Sequence, residues 1–116
     1  MRMRMDPKVK QEIYALYAGL CKALADPKRL LIIEALRAGP VTVGDLAEEF
    51  GLSQPNVSQH LAILRDRGVV TADRSGNNVY YSLANRKVLR ALDILREVMA
   101  EQLAERGKLH QAALGG

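Results

Sequence analysis

The stretch VTVGDLAEEFGLSQPNVSQHLAILRDRGVV, residues 41–70, decides the fold of this chain. Its first three residues predict a short extended piece, in which Thr42 is the N-cap of a short helix over residues 45–50, and Gly51 ends that helix as a C-cap. Ser53 is the predicted N-cap of a second helix over residues 54–67, because its hydroxyl can accept a hydrogen bond from a free N–H of the first turn. Two helices joined by a short turn that contains Gly are the sequence form of a helix-turn-helix.

The second helix combines an apolar face with a face of neutral hydrogen-bonding groups. Val57, Leu61 and Leu64 recur at helical spacing and predict the inward face. The segment 53–61 has no carboxylate, which phosphate would repel, and its amides match the donor and acceptor that adenine presents in the major groove. The pattern predicts contacts to DNA bases or phosphates from Ser53, Gln54, Asn56, Ser58, Gln59 and His60.

Two short strands are predicted directly after this helix, over residues 69–71 and 79–83, with turn residues between them. A β-hairpin that follows a helix-turn-helix is a wing. Arg74, at the predicted tip of the hairpin, is a candidate contact to phosphate or to the minor groove, and Asn77 and Asn78 are assigned to the same surface. The alternative for Arg74 is an exposed turn residue without a role.

The neighbouring elements decide between two interpretations of the polar helix face. Taken alone, residues 53–61 would be interpreted as a solvated surface helix. Because the stretch follows a Gly-containing turn and precedes a wing, recognition of DNA is favoured. Three interpretations of His60 stay open: it binds a phosphate, packs against the wing, or does neither.

Two further helices, predicted over residues 8–25 and 86–105, each carry an apolar stripe. The stripes consist of Ile13, Leu16 and Leu20 in the first helix and of Leu92, Leu95 and Met99 in the last. A compact central core leaves both stripes uncovered, so they predict an interface with a partner chain.

The elements together predict a mainly α fold with a small β-hairpin, which is a winged helix-turn-helix. A helix over residues 27–38, apolar on most sides, is expected to be buried in its core. Residues 1–106 are predicted to form a single domain and residues 107–116 a mobile C-terminal tail.

Charge and hydropathy limit the classes of function. The net charge is +4, with +4 in residues 1–40 and again in residues 54–90, and −3 in residues 41–53 between them. Two basic segments suit a polyanionic partner or an ordinary solvated surface. No apolar run is long enough to cross a membrane, and residues 1–10 lack the apolar stretch of a signal peptide, so we expect a cytoplasmic protein without a membrane partner.

Three motifs carry a resemblance to a known family: LADPKRLLIIEAL, the stretch 41–70 quoted above, and RSGNNVYYSL. In order and spacing they resemble the ArsR/SmtB family of small winged-helix repressors throughout residues 20–83. The resemblance implies a homodimer through the first and last helices, with two recognition helices in successive major grooves of an inverted-repeat operator. It also implies release from double-stranded operator DNA when an inducer binds, but the inducer is unknown.

Many members of that family sense metal ions, so their ligand positions can be compared with this sequence. The arsenic and cadmium sensors carry Cys-x-Cys where this chain has Thr42-Val43-Gly44. The positions that correspond to the zinc ligands of the last helix are Asn85, Lys87, Val98 and Glu101. A neutral amide, an ammonium and an aliphatic group cannot hold tetrahedral zinc. No standard metal site and no cofactor are therefore expected.

The single cysteine, Cys21, leaves two alternatives open. A small buried hydrophobic residue is the favoured interpretation, because free cysteines are usually buried and inert. The alternatives are a thiol-responsive or redox-responsive repressor that acts through Cys21, and a metal sensor with a non-standard site that includes Cys21, His110 or acidic groups of the last helix.

Two rival classes of function are less well supported. A winged helix used for contacts between proteins would have an apolar or acidic recognition face, and residues 53–60 are neither. An enzyme would need its reactive groups together, but His60, His110 and Cys21 belong to separate predicted elements, and no phosphate-cradling motif is present. The chain is expected not to be an enzyme.

Overall fold

The computed structural model describes residues 4–115, apart from the side chains of Leu109 and His110. The side chain of His110, a candidate ligand in the non-standard metal alternative, thus lies outside the described part. The elements are α1 (Pro7–Leu24), α2 (Pro27–Ala35), β1 (Val41–Thr42), α3 (Val43–Phe50), α4 (Gln54–Asp66), β2 (Val70–Ser75), β3 (Asn78–Leu83) and α5 (Lys87–Gly115). A 3-10 turn, Leu36–Ala38, extends α2.

Side-chain caps start the central helices where the sequence predicts them. Thr42 Oγ1 accepts a hydrogen bond from the N–H of Asp45 at 3.2 Å at the start of α3. Ser53 Oγ accepts one from the N–H of Asn56 at 3.2 Å at the start of α4. Between the two helices Gly51 adopts φ +64°, a left-handed conformation that lets the chain turn within a few residues. The predicted helix-turn-helix is confirmed.

The wing belongs to a three-stranded antiparallel sheet of order β1-β3-β2. Val41 and Thr42 pair with Tyr81 and Tyr80, so the predicted extended piece before α3 is a strand that covers one edge of the hairpin. This pairing joins residues far apart in sequence and was not predicted.

The hairpin turn is shorter than predicted. The ladder between β2 and β3 continues to the pair Ser75 and Asn78, which leaves Gly76 and Asn77 as a two-residue turn. Gly76 has φ +63°, which favours glycine at the first turn position. The prediction that Arg74 lies at the tip is therefore wrong: Arg74 is in β2, paired with Val79.

The core of the segment from α1 to β3 is aliphatic, as the composition implies. Its buried residues are Ala23, Ile32, Ile33, Leu36, Leu46, Ala47, Val57, Leu61, Leu64, Val69 and Val70. In α2, Leu30 and Leu31 are exposed, whereas Ile32 and Ile33 are fully buried. The expected burial of this helix is therefore confirmed for one face only, and its apolar residues divide between the core and the surface.

The chain divides into two compact units, Met1–Asn85 and Arg86–Gly116. The second contains α5, which continues to Gly115 instead of ending near residue 105. Residues 107–115 are thus helical, and the mobility predicted for the tail stays a prediction. None of the described helices combines the length and the apolar character needed to cross a lipid bilayer.

Candidate nucleic-acid interface

Helix α4 is held in place by its apolar face. Val57, Leu61 and Leu64 have no exposed surface, which confirms them as the inward face. Because they recur at helical spacing, the residues between them lie on the flanks and on the outer side of the helix. Ser58 and Gln59 are exposed there, as predicted for residues that meet base edges.

Some polar side chains at the start of α4 make contacts within the protein. Ser53 caps the helix. The side chain of Gln54 reaches Gly44 near the start of α3, since a Cβ placed on Gly44 would lie in van der Waals contact with Gln54 Nε2, at 3.6 Å. Asn56 is half-buried, and its Oδ1 has no hydrogen-bond partner among the described residues. Ser58 and Gln59 are thus more exposed candidates for base contacts than Asn56.

His60 contacts α2 through its ring. Arg29 Nη1 lies 3.3 Å from His60 Nδ1, and both side chains are half-buried. Arg29 Nε donates to the carbonyl of Ala23 at 2.6 Å, and Nη2 donates to the carbonyl of Lys22 at 3.4 Å. The guanidinium therefore connects the end of α1, the start of α2 and the flank of the recognition helix.

Asp26 adds a negative charge to this cluster and caps α2. Its Oδ1 accepts the N–H of Lys28 at 2.8 Å and the N–H of Arg29 at 3.2 Å. Burial of the carboxyl raises its pKa, but these two hydrogen bonds and the positive charge of Arg29 bring the pKa of Asp26 below its ordinary value. The Asp26 carboxylate is thus stabilised in its charged form while it caps α2.

The wing presents exposed polar side chains at and near its turn. Arg74, Asn77 and Asn78 are all exposed. A shallow open depression lies between α4 and β3, lined by Ser58, Ala62, Arg65, Asp66 and Tyr81. The helix and the wing thus each carry exposed polar groups, and a shallow depression lies between helix and sheet.

The residues predicted for a partner interface are mostly exposed. Ile13, Leu16 and Leu20 of α1 are exposed, as are Leu95 and Met99 of α5, while Leu92 is half-buried. Uncovered apolar side chains of this kind on helices are characteristic of an interface with another chain.

Cys21 departs from the favoured prediction, because its side chain is exposed and not buried. The general tendency of free cysteines to be buried does not show whether a neighbouring element covers this one. Within the part of the chain that the structure describes, no group of three or more His, Cys, Asp or Glu side chains is arranged to hold a metal ion.

Arg29 is one of three residues near this surface to which the sequence assigned no role. The motif LADPKRLLIIEAL contains it three positions after the N-cap Asp26, so the local sequence shows only a basic residue in the first turn of a helix. Its contact with His60 joins positions 31 residues apart. Arg65 and Tyr81 were also not assigned, since the depression that they line forms only when β3 lies beside α4.

Comparison with known proteins identifies the family. Residues 26–72 match the family described as "Bacterial regulatory protein, arsR family". The chain is 41% identical over 92 residues to the HTH-type transcriptional regulator NmtR of Mycobacterium tuberculosis, covering 79% of this chain and 77% of NmtR. It is 45% identical over 69 residues to the transcriptional repressor SdpR of Bacillus subtilis, covering 60% of this chain and 76% of SdpR.

A solved structure agrees with this assignment. The homodimeric winged helix-turn-helix DNA-binding domain of Mb0332 from Mycobacterium bovis superimposes with a TM-score of 0.76 at 31% identity, covering 89% of this chain and 94% of that one. Its fold is the one described above, and the relatives are regulators, in agreement with the expectation that this chain is not an enzyme. The chain belongs to the ArsR family and is a winged helix-turn-helix transcriptional regulator.

Proposed function

We propose that this protein is a homodimeric repressor that binds an inverted-repeat operator in the bacterial cytoplasm. The observation that carries the proposal is the division of α4 into a fully buried aliphatic face and an exposed face with Ser58 and Gln59. A helix held in this way at the second position of a helix-turn-helix can enter the major groove and present its side chains to base edges.

The proposed DNA contacts fall into two kinds. Gln59 contacts a base edge, because its amide offers both a donor and an acceptor. Arg74 contacts phosphate from strand β2 of the wing, where it is exposed close to the turn. Ser53, Gln54, Asn56, Ser58, Asn77 and Asn78 belong to the same proposed surface.

Dimerisation is supported separately by α1 and by α5. Leu16 is 69% exposed, and Leu95 is 62% exposed. Removing side chains of this size from water lowers the free energy, so contact with a second copy stabilises each helix. The homodimeric state of the Mb0332 domain supports the same assembly. The proposed interface includes Ile13, Leu16, Leu20, Leu92, Leu95 and Met99.

We further propose that no standard metal site controls this repressor. The amide, ammonium and aliphatic groups of Asn85, Lys87 and Val98 support this, since they cannot serve as zinc ligands. The exposed thiol of Cys21 keeps the thiol-responsive alternative open, because an oxidant can reach it in the single chain.

A mobility-shift assay on the DNA upstream of the protein's own gene tests the proposal. The protein should shift this DNA at concentrations well below those needed for a random duplex of equal length. Zinc, nickel or cadmium should leave the shift unchanged, and parallel lanes with a thiol oxidant or polysulfide test the alternative. Equal binding to both DNAs would contradict a sequence-specific repressor, and release by a metal would contradict the absence of a metal site.

A further inference from the structure

The contact between Arg29 and His60 determines which nitrogen of the His60 ring carries the proton. A guanidinium has five N–H donors and no acceptor. With Arg29 Nη1 at 3.3 Å, His60 Nδ1 must therefore be the acceptor. A neutral imidazole that accepts at Nδ1 carries its proton on Nε2. The ring is thus held as an Nε2–H donor.

Arg29 is held in position by groups other than His60. Its Nε and Nη2 donate to the carbonyls of Ala23 and Lys22 at the end of α1, and its own N–H donates to Asp26. The guanidinium is also half-buried. Because two other hydrogen bonds anchor the guanidinium, it can orient the His60 ring.

We propose that Arg29 is a positioning residue that keeps His60 as a neutral Nε2–H donor to a DNA backbone phosphate at the flank of α4. The inference rests on the DNA binding proposed above. It assigns to His60 the phosphate role among the three open interpretations.

The surroundings of His60 favour a phosphate over a base edge. His60 follows the first turns of α4, and the N-terminal residues of a recognition helix are those that meet base edges. The flank carries a positive charge, since the guanidinium of Arg29 lies beside the ring. The nearby carboxylate of Asp26 already accepts two backbone N–H groups. A phosphate oxygen is the acceptor that suits this position.

The first test needs no DNA and no variant of His60. A long-range proton–nitrogen NMR spectrum of the full chain at neutral pH should show His60 as the Nε2–H tautomer. The chain has two histidines, so the spectrum of His110→Gln assigns the His60 signals. Arg29→Lys keeps the positive charge but replaces the planar guanidinium, with its several N–H groups, by a single ammonium. In this variant His60 should become a mixture of tautomers. An Nδ1–H ring in the wild type, or an unchanged tautomer in Arg29→Lys, would overturn the proposal.

The second test compares two substitutions of His60 on DNA. An Asn amide oxygen can replace the Nδ1 acceptor but offers no N–H at the position of Nε2, whereas a Gln amide can place an N–H there. His60→Asn should weaken operator and random duplexes alike, by about tenfold for each hydrogen bond to phosphate that it removes, and His60→Gln should bind more tightly than His60→Asn. The slope of log affinity against log salt should stay unchanged, because a neutral donor releases no counterion.

The outcomes separate this inference from the proposed function. A wild type that binds no DNA would overturn the proposed function and the phosphate contact together, while the tautomer would still be measured. A wild type that binds normally, with His60→Asn equal to it, would overturn the phosphate contact alone. A weakening confined to the operator would mean a base contact and would also overturn it. The double variant Arg29→Lys/His60→Asn should bind no more weakly than the weaker single variant, because both changes act on the same hydrogen bond to phosphate.

Discussion

In α4 the apolar residues Val57, Leu61 and Leu64 expose no surface, whereas in α5 Leu95 and Met99 expose 62% and 53% of theirs. Both helices carry apolar residues at helical spacing, so periodicity alone does not tell which stripe is covered within the chain, and the place of each helix in the predicted fold is needed to tell them apart. The stripe of α4 is covered within its own chain, which holds its polar face rigidly toward the outside. The stripe of α5 is left uncovered, and this difference is what the proposed roles require: a rigid helix for DNA contact and a helix free to contact a partner chain.

Leu95→Glu should have the largest effect, because it tests whether a partner covers α5. A carboxylate in an apolar interface costs several kcal/mol if it stays unpaired, so the variant should sediment as a monomer or aggregate. Ala104→Glu is the matched control, since it adds the same charge to the same helix away from the stripe and should stay dimeric. A Leu95→Glu dimer as tight as the wild type would remove this residue from the interface.

Leu61→Ala tests the buried apolar face of α4. The deleted side chain is fully buried, so unfolding in urea at a fixed protein concentration should show a decrease of about 2–5 kcal/mol in the free energy of unfolding. Ile63→Ala changes a side chain of the same helix that is 42% exposed, and it should cost less than about 1 kcal/mol. Equal decreases in the two variants would mean that the two faces of α4 are not distinct.

Gln59→Ala tests whether the exposed face of α4 recognises sequence. Removal of a hydrogen bond to a base should weaken operator binding by about 1–3 kcal/mol and leave binding to a random duplex nearly unchanged. Fluorescence anisotropy on the two DNAs across a salt series measures both quantities. If Gln59→Ala weakened the two DNAs equally, base recognition by this face would be disproved.

Arg74→Ala should have the smallest and least selective effect. The substitution should weaken operator and random DNA alike and reduce the log–log salt slope by about one unit for each phosphate that the protein no longer neutralises. The same salt series gives the slope, with Gln59→Ala as the variant whose slope should not move. An unchanged slope in Arg74→Ala would show that the β2 position does not contact phosphate.

Local chemistry made much of the fold predictable. The hydroxyls of Thr42 and Ser53 cap helices wherever free N–H groups follow them, and Gly51 turns the chain because it adopts a positive φ without strain. The spacing of Val57, Leu61 and Leu64 predicted the inward face for the same reason, since helical periodicity places such residues on one side.

The sequence by itself thus determined the order of the elements, the helix-turn-helix with its wing, and the division of α4 into two faces. The tertiary structure alone decided the pairing of β1 with β3, the exposure of Cys21, and the contact between Arg29 and His60. Caps, turns and periodicity act between neighbours in the chain, so they can be recognised one segment at a time. Contacts such as that between Arg29 and His60 join distant segments, and they exist only once the core has brought those segments together.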